Sequence, residues 1–113
     1  MTETINKKDL KQGYKDAPTT AGIYLITNTQ TGHRLLASAA NAQGVLNRHL
    51  FELKFGQHRN KLLQQAWQQY GEAAFEFSML ERVKPDEKNI NAALEKRLEA
   101  WQQKLRIADE QRY

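Results

Sequence analysis

The sequence predicts a small α/β (α+β) domain in which helices flank a sheet of about three strands. Three observations carry this prediction. Two apolar runs, Gly22 to Asn28 and His33 to Ala39, are separated by Thr29-Gln30-Thr31-Gly32, the pattern of an antiparallel hairpin with a short loop. A later run alternates Phe75, Phe77 and Met79 with Glu76 and Ser78, which marks a third strand. The segments between and after these runs repeat apolar residues at helical spacing.

Each element follows in chain order. The opening stretch Asn6 to Pro18 reads as a short polar helix, with Asn6 as cap, Asp9 in the first turn and Ala17-Pro18 as its end. Leu10 and Tyr14 are spaced to reach the core together. In the hairpin neither run alternates cleanly, which points to a sheet covered on both faces. Asn41 is placed to cap a helix over Ala42 to Lys54, whose stripe is Val45, Leu46, Leu50 and Leu53, with His49 inside it. Gly56 stops that helix. A second helix, near Arg59 to Tyr70, puts Leu62, Leu63, Ala66 and Trp67 on one side, and Gly71 follows as its cap. Pro85 ends the third strand. The last helix, about Glu87 to Lys104, carries Ile90, Leu94, Leu98, Trp101 and Leu105. The polar tail from Ile107 to Tyr113 reads as loosely held. The organisation is an N-terminal helical extension over 1–19, one domain over 20–106 and the tail over 107–113.

Composition narrows the function classes. A chain of 113 residues, 40% apolar and 27% charged, holds one modest core. With no cysteine, disulfides, cysteine-bound metals and cysteine nucleophiles are excluded. No segment has signal-peptide character or the roughly 18 apolar residues of a membrane span, so a soluble, cytoplasmic protein without membrane contact is expected. The net charge of +4 is uneven: residues 1–61 carry +5 and residues 62–113 carry −1. Such asymmetry reads either as attraction to a polyanion or as a solvated basic surface.

A more specific signal lies in an ordered series of residues. It runs through Gly22-Ile23-Tyr24, the Thr31-Gly32 turn, Ser38, Asn41, Arg48-His49-Leu50, Leu53, Gly56, His58 and Asn60. It continues as LLQQAWQQYGEAAFEFSMLE over residues 62–81. Through this series the chain resembles the GIY-YIG endonuclease superfamily, closely over about residues 20–82 and more loosely over 90–105. It is most similar to short members with a degenerate catalytic motif. The resemblance implies a three-stranded antiparallel sheet flanked by helices, and a chemistry of metal-assisted phosphodiester hydrolysis.

Carried over position by position, that chemistry is incomplete. The family's first tyrosine corresponds to Tyr24. Its second tyrosine falls on Leu35, with Leu36 and Ala37 after it, its phosphate-binding arginine on Val45, and its metal-binding glutamate on Leu98. His49 and His58 match positions that are histidine in many members. Leucine neither donates nor accepts a hydrogen bond nor ligates a hard cation, and valine neutralises no phosphate charge.

Three functional readings follow. In the leading one the domain has lost nuclease activity and binds nucleic acid, DNA in particular, through Arg48, His58, Arg59 and Lys61. It needs no cofactor. In the second, a residual endonuclease uses Tyr24 and His49 as catalytic residues with Mg²⁺ or Mn²⁺, and Glu95 or Glu99 stands in as metal ligand. Both carboxylates read more readily as solvated, with Lys96 and Lys104 nearby. In the third, Leu35, Val45 and Leu98 fill the former site and the chain is an interaction module, a homodimer included. His49 on its apolar face also reads as a hydrogen-bonded core histidine, and Tyr24 as a core tyrosine. Trp67, Trp101, Phe75 and Phe77 fit core periodicities rather than base-stacking platforms.

Overall fold

The computed structural model describes residues 3–5, 21–83 and 88–113. Strands β1 (Glu3–Ile5), β2 (Ala21–Asn28), β3 (Arg34–Ala39) and β4 (Phe75–Val83) combine with helices α1 (Ala42–Lys54), α2 (Lys61–Tyr70) and α3 (Ile90–Leu105). The antiparallel sheet has the order β1-β4-β2-β3. β2, β3 and β4 are the three strands the sequence predicts. β1 is an addition that local pattern does not announce: Glu3–Ile5 pairs with Phe77–Met79 at the edge of β4. The helix expected over residues 6–18 lies outside the described residues.

Alternation along β2 divides the interior in two, because successive strand side chains point to opposite faces. Tyr24 and Ile26 join Leu46, Leu50, Leu53, Leu63, Trp67, Phe75, Phe77 and Met79 beneath α1 and α2. Ile23 and Leu25 join Leu80, Val83 and Leu94 beneath α3. The sheet is therefore covered on both faces. Trp101 and Arg97 tie α3 to β4: the indole N–H donates to Glu81 Oε1 at 3.0 Å and the Arg97 guanidinium to Oε2 at 2.6 Å.

The β2–β4 register shifts between Ile23 and Tyr24, so that Ile23 faces Glu81 while Tyr24 faces Met79. Leu80 is the extra residue of this bulge, and a bulge sharpens the local twist. Here β4 crowds Gly22. A Cβ at Gly22 would run into the Glu81 carbonyl oxygen and would stand 3.1 Å from Met79 Sδ. The glycine is required by space, since a backbone carbonyl gives way less easily than a side chain. Gly22→Ala is expected to lower stability by about 1–3 kcal/mol, read as a shift of the urea midpoint. A wild-type midpoint would mean that β4 does not come so close.

Local sequence sets the helix ends. Asn41, Asn60 and Asn89 each accept a hydrogen bond from the backbone N–H three residues on, satisfying an otherwise orphaned donor. Asn89 starts α3 later than the sequence reading places it. Gly71 closes α2 at φ +85° with its N–H on the Trp67 carbonyl, as expected of a capping glycine.

The tail differs from its expected looseness. Arg112 bridges to Arg34 beside β3, and the Tyr113 N–H donates to the Arg34 carbonyl at 3.0 Å. The Tyr113 hydroxyl accepts from Asn28 Nδ2 at 3.0 Å. Asn28 is fully buried, and a buried amide without a partner is costly. That cost holds the end of the chain in place against an edge that would otherwise be open. Among the described residues no helix is long and apolar enough to cross a membrane.

Candidate functional site

Helix α1 presents Leu46, Leu50 and Leu53 to the sheet. This face sets His49, one residue off the buried stripe, above β2. Its Nε2 lies 3.0 Å from the Tyr24 hydroxyl, and its Nδ1 lies 2.6 Å from His58 Nε2. The two imidazoles are stacked with centroids 4.9 Å apart. His58 belongs to the loop between α1 and α2, and that loop is fixed at both ends. The His58 N–H donates to Gln64 Oε1 at 3.0 Å, while Gln64 Nε2 donates to the Leu53 carbonyl at 3.0 Å. The Asn60 backbone N–H then donates to His58 Nδ1 at 3.0 Å.

Beside this chain lies a cleft of about 240 Å³ lined by Val45, Arg48, His49, Glu52, His58, Arg59 and Asn60. Arg48 is exposed and pairs with Glu52 at 3.4 Å. Arg59 is exposed on the loop; Lys61 is exposed at the start of α2 but outside the cleft lining. The two histidines share a tendency toward neutrality. Burial, helped by His58, pushes His49 from 6.5 down to about 4, against the opposing pull of Glu52. Burial likewise holds His58 below its ordinary value. Burial raises the Tyr24 hydroxyl to about 12, so the phenol keeps its proton at neutral pH.

Tyr24, Arg48, His49, His58 and Arg59 are thus brought to one neighbourhood. Other sequence candidates are not. Glu95 and Glu99 are exposed on α3, the helix on the opposite face of the sheet from His49. The expected common filling by Leu35, Val45 and Leu98 is also corrected. Leu35 and Val45 pack against the cluster containing Tyr24, whereas Leu98 packs against the other cluster, across the sheet. Three contributors escape the sequence reading: Glu52, Gln64 and the Asn60 amide. Gln64 left a signal, since it is a buried glutamine on the same helix face as Leu63 and Trp67.

Divalent-metal chemistry needs hard oxygen ligands. Among the described residues no group of three or more His, Asp or Glu side chains is arranged to hold a metal ion. Glu52, the carboxylate that lines the cleft, is engaged by Arg48. The donor set does not fit a hard divalent cation.

No protein-family model and no curated protein matches the chain. Two solved structures do. The catalytic domain of the homing endonuclease I-TevI is 30% identical, with a TM-score of 0.64 over 82% of this chain and 95% of that one. The chain belongs to the GIY-YIG endonuclease superfamily. A glutamate-to-alanine mutant of the same I-TevI catalytic domain gives 26% identity and a TM-score of 0.66, over 84% of this chain and 92% of that one. In this GIY-YIG fold the Gly-Ile-Tyr tripeptide lies in the N-terminal half of β2. Its glycine admits the β4 bulge and its tyrosine meets His49.

Proposed function

We propose that this GIY-YIG domain binds the phosphate backbone of nucleic acid, DNA in particular, without cleaving it. The observation that carries the proposal is the pairing of an intact Tyr24–His49–His58 chain with a cleft flanked by Arg48 and Arg59. At the same time Leu35, Val45 and Leu98 offer neither charge nor metal ligand. Likeness to the catalytic domain of a homing endonuclease supports a nucleic-acid partner. The missing ligands favour binding over hydrolysis.

Backbone binding releases counterions, so log K falls with log salt by roughly 0.9 for each phosphate neutralised on duplex DNA. Titration of duplex and branched DNA over a salt series is expected to show such a slope. An Arg48→Gln/Arg59→Gln double variant is expected to reduce the slope by about 2. Absence of binding at low salt overturns the proposal.

A second reading, a residual endonuclease, is favoured by one observation: the 3.0 Å contact of His49 with the Tyr24 hydroxyl, which holds together the two side chains read as catalytic from the sequence. Plasmid and branched DNA incubated with Mg²⁺ or Mn²⁺ distinguish the two. Cleavage that Tyr24→Phe abolishes establishes the enzyme, and intact substrate removes it.

A further inference from the structure

The chain of hydrogen bonds from Asn60 to Tyr24 has a direction. A backbone N–H only donates, so the bond from Asn60 to His58 Nδ1 makes that nitrogen an acceptor without a proton. In neutral His58 the proton then sits on Nε2, which faces His49 Nδ1 at 2.6 Å. His58 therefore donates, and His49 Nδ1 accepts. Neutral His49 in turn carries its proton on Nε2, which faces the Tyr24 hydroxyl oxygen at 3.0 Å. One peptide amide thus sets the tautomers of two imidazoles. It also leaves the Tyr24 proton without an acceptor among the described residues, although Tyr24 is only 5% exposed.

We propose that the Asn60 amide and His58 are positioning groups that lock His49 as a hydrogen-bond donor to Tyr24, so that the Tyr24 hydroxyl offers its proton to an anionic oxygen of a bound ligand. In this arrangement His49 does not take the proton of Tyr24; it supports the oxygen while the phenol donates. The burial that keeps both imidazoles neutral and the phenol protonated maintains every proton in its place near pH 7. Gln64 contributes by fixing the backbone of His58. The identity of the acceptor as a phosphate oxygen rests on the backbone-binding reading above; the tautomers do not.

The test is long-range ¹H–¹⁵N correlation spectroscopy on the imidazoles of the full chain at pH 7.5, without nucleic acid. Both His49 and His58 are expected as Nε2–H tautomers. A proton on Nδ1 of either ring overturns the lock. In His58→Ala, which removes the donor to His49 Nδ1, the His49 resonances are expected to move toward the Nδ1–H tautomer, and an unchanged Nε2–H signature overturns the role of His58. The wild-type spectrum decides the matter even where that variant fails to fold. Tyr24→Phe removes the Tyr24 donor together with the oxygen that accepts from His49, and its affinity for a duplex oligonucleotide is expected to fall roughly tenfold, as for one hydrogen bond to a charged group. Unchanged affinity overturns the donor role. No binding by the wild-type chain, with the expected tautomers, overturns the backbone-binding reading and leaves the lock standing.

Discussion

Phe77→Ala is expected to remove about 3–5 kcal/mol of folding stability. Phe77 is fully buried in β4, with Ile5 opposite it on β1 and Ile26 on β2. Its ring meets the edge of Trp67 at 6.4 Å between centroids. Truncation therefore opens a void between the sheet and α2 that neither neighbour can close without leaving its own strand or helix register. The loss is a large share of the roughly 5–15 kcal/mol that holds a domain of this kind together. Urea unfolding should show a lower midpoint at an unchanged slope. Phe51→Ala makes the contrast: that ring is 62% exposed on α1 and touches Phe55, and its removal is expected to change stability by no more than about 0.5 kcal/mol. Equal effects from the two variants would refute the assignment of Phe77 to the load of the core.

Acid is expected to weaken the fold through His49. Its folded value lies near 4, below the 6.5 of the free side chain, so between these limits the unfolded chain binds more protons. Stability then rises with pH across this window: it is fully present above about 6.5 and lost as pH falls toward 4. The shift corresponds to about 2–3 kcal/mol after allowance for the partial exposure of the ring. His58 is held low by its own burial and acts in the same direction. Urea midpoints at pH 7 and 4.5 should differ accordingly in the wild-type chain, and His49→Gln should flatten the difference. The same pH dependence in His49→Gln would assign it to other groups. Comparison between the two chains removes every contribution that they share.

How much of this was legible beforehand varied with the range of the forces involved. Helix α1 spans the segment its pattern predicts, because Asn41, the leucine stripe and Gly56 act within a few residues of one another. The hairpin was equally legible, since Thr31-Gly32 closes a short loop between two runs adjacent in sequence; Gly32 sits at φ +84°. β1 was not legible, because Glu3–Ile5 becomes a strand through the edge of β4. Nor was the anchored tail, whose hold depends on Tyr113 reaching Asn28, 85 residues earlier.

The candidate site divides in the same way. Tyr24, His49 and His58 were each visible as residues of a family pattern, and the aliphatic replacements at Leu35, Val45 and Leu98 were visible as chemical losses. Their arrangement was not. Periodicity places His49 on a helix face but gives no partner 25 residues away in a strand. It gives no means of sending Leu98 to the far side of the sheet from Leu35 and Val45. By itself, then, the sequence determined the GIY-YIG scaffold, its hairpin and helices, and the chemical types available to its site, all through short-range pattern and ordered spacing. Tertiary structure alone decided that a buried tyrosine and two histidines form one hydrogen-bonded chain, that a peptide amide gives it a direction, and that the lost positions do not form a single apolar plug. Those outcomes depend on which faces of separate elements meet, and side-chain hydrogen bonds reach only about 3 Å.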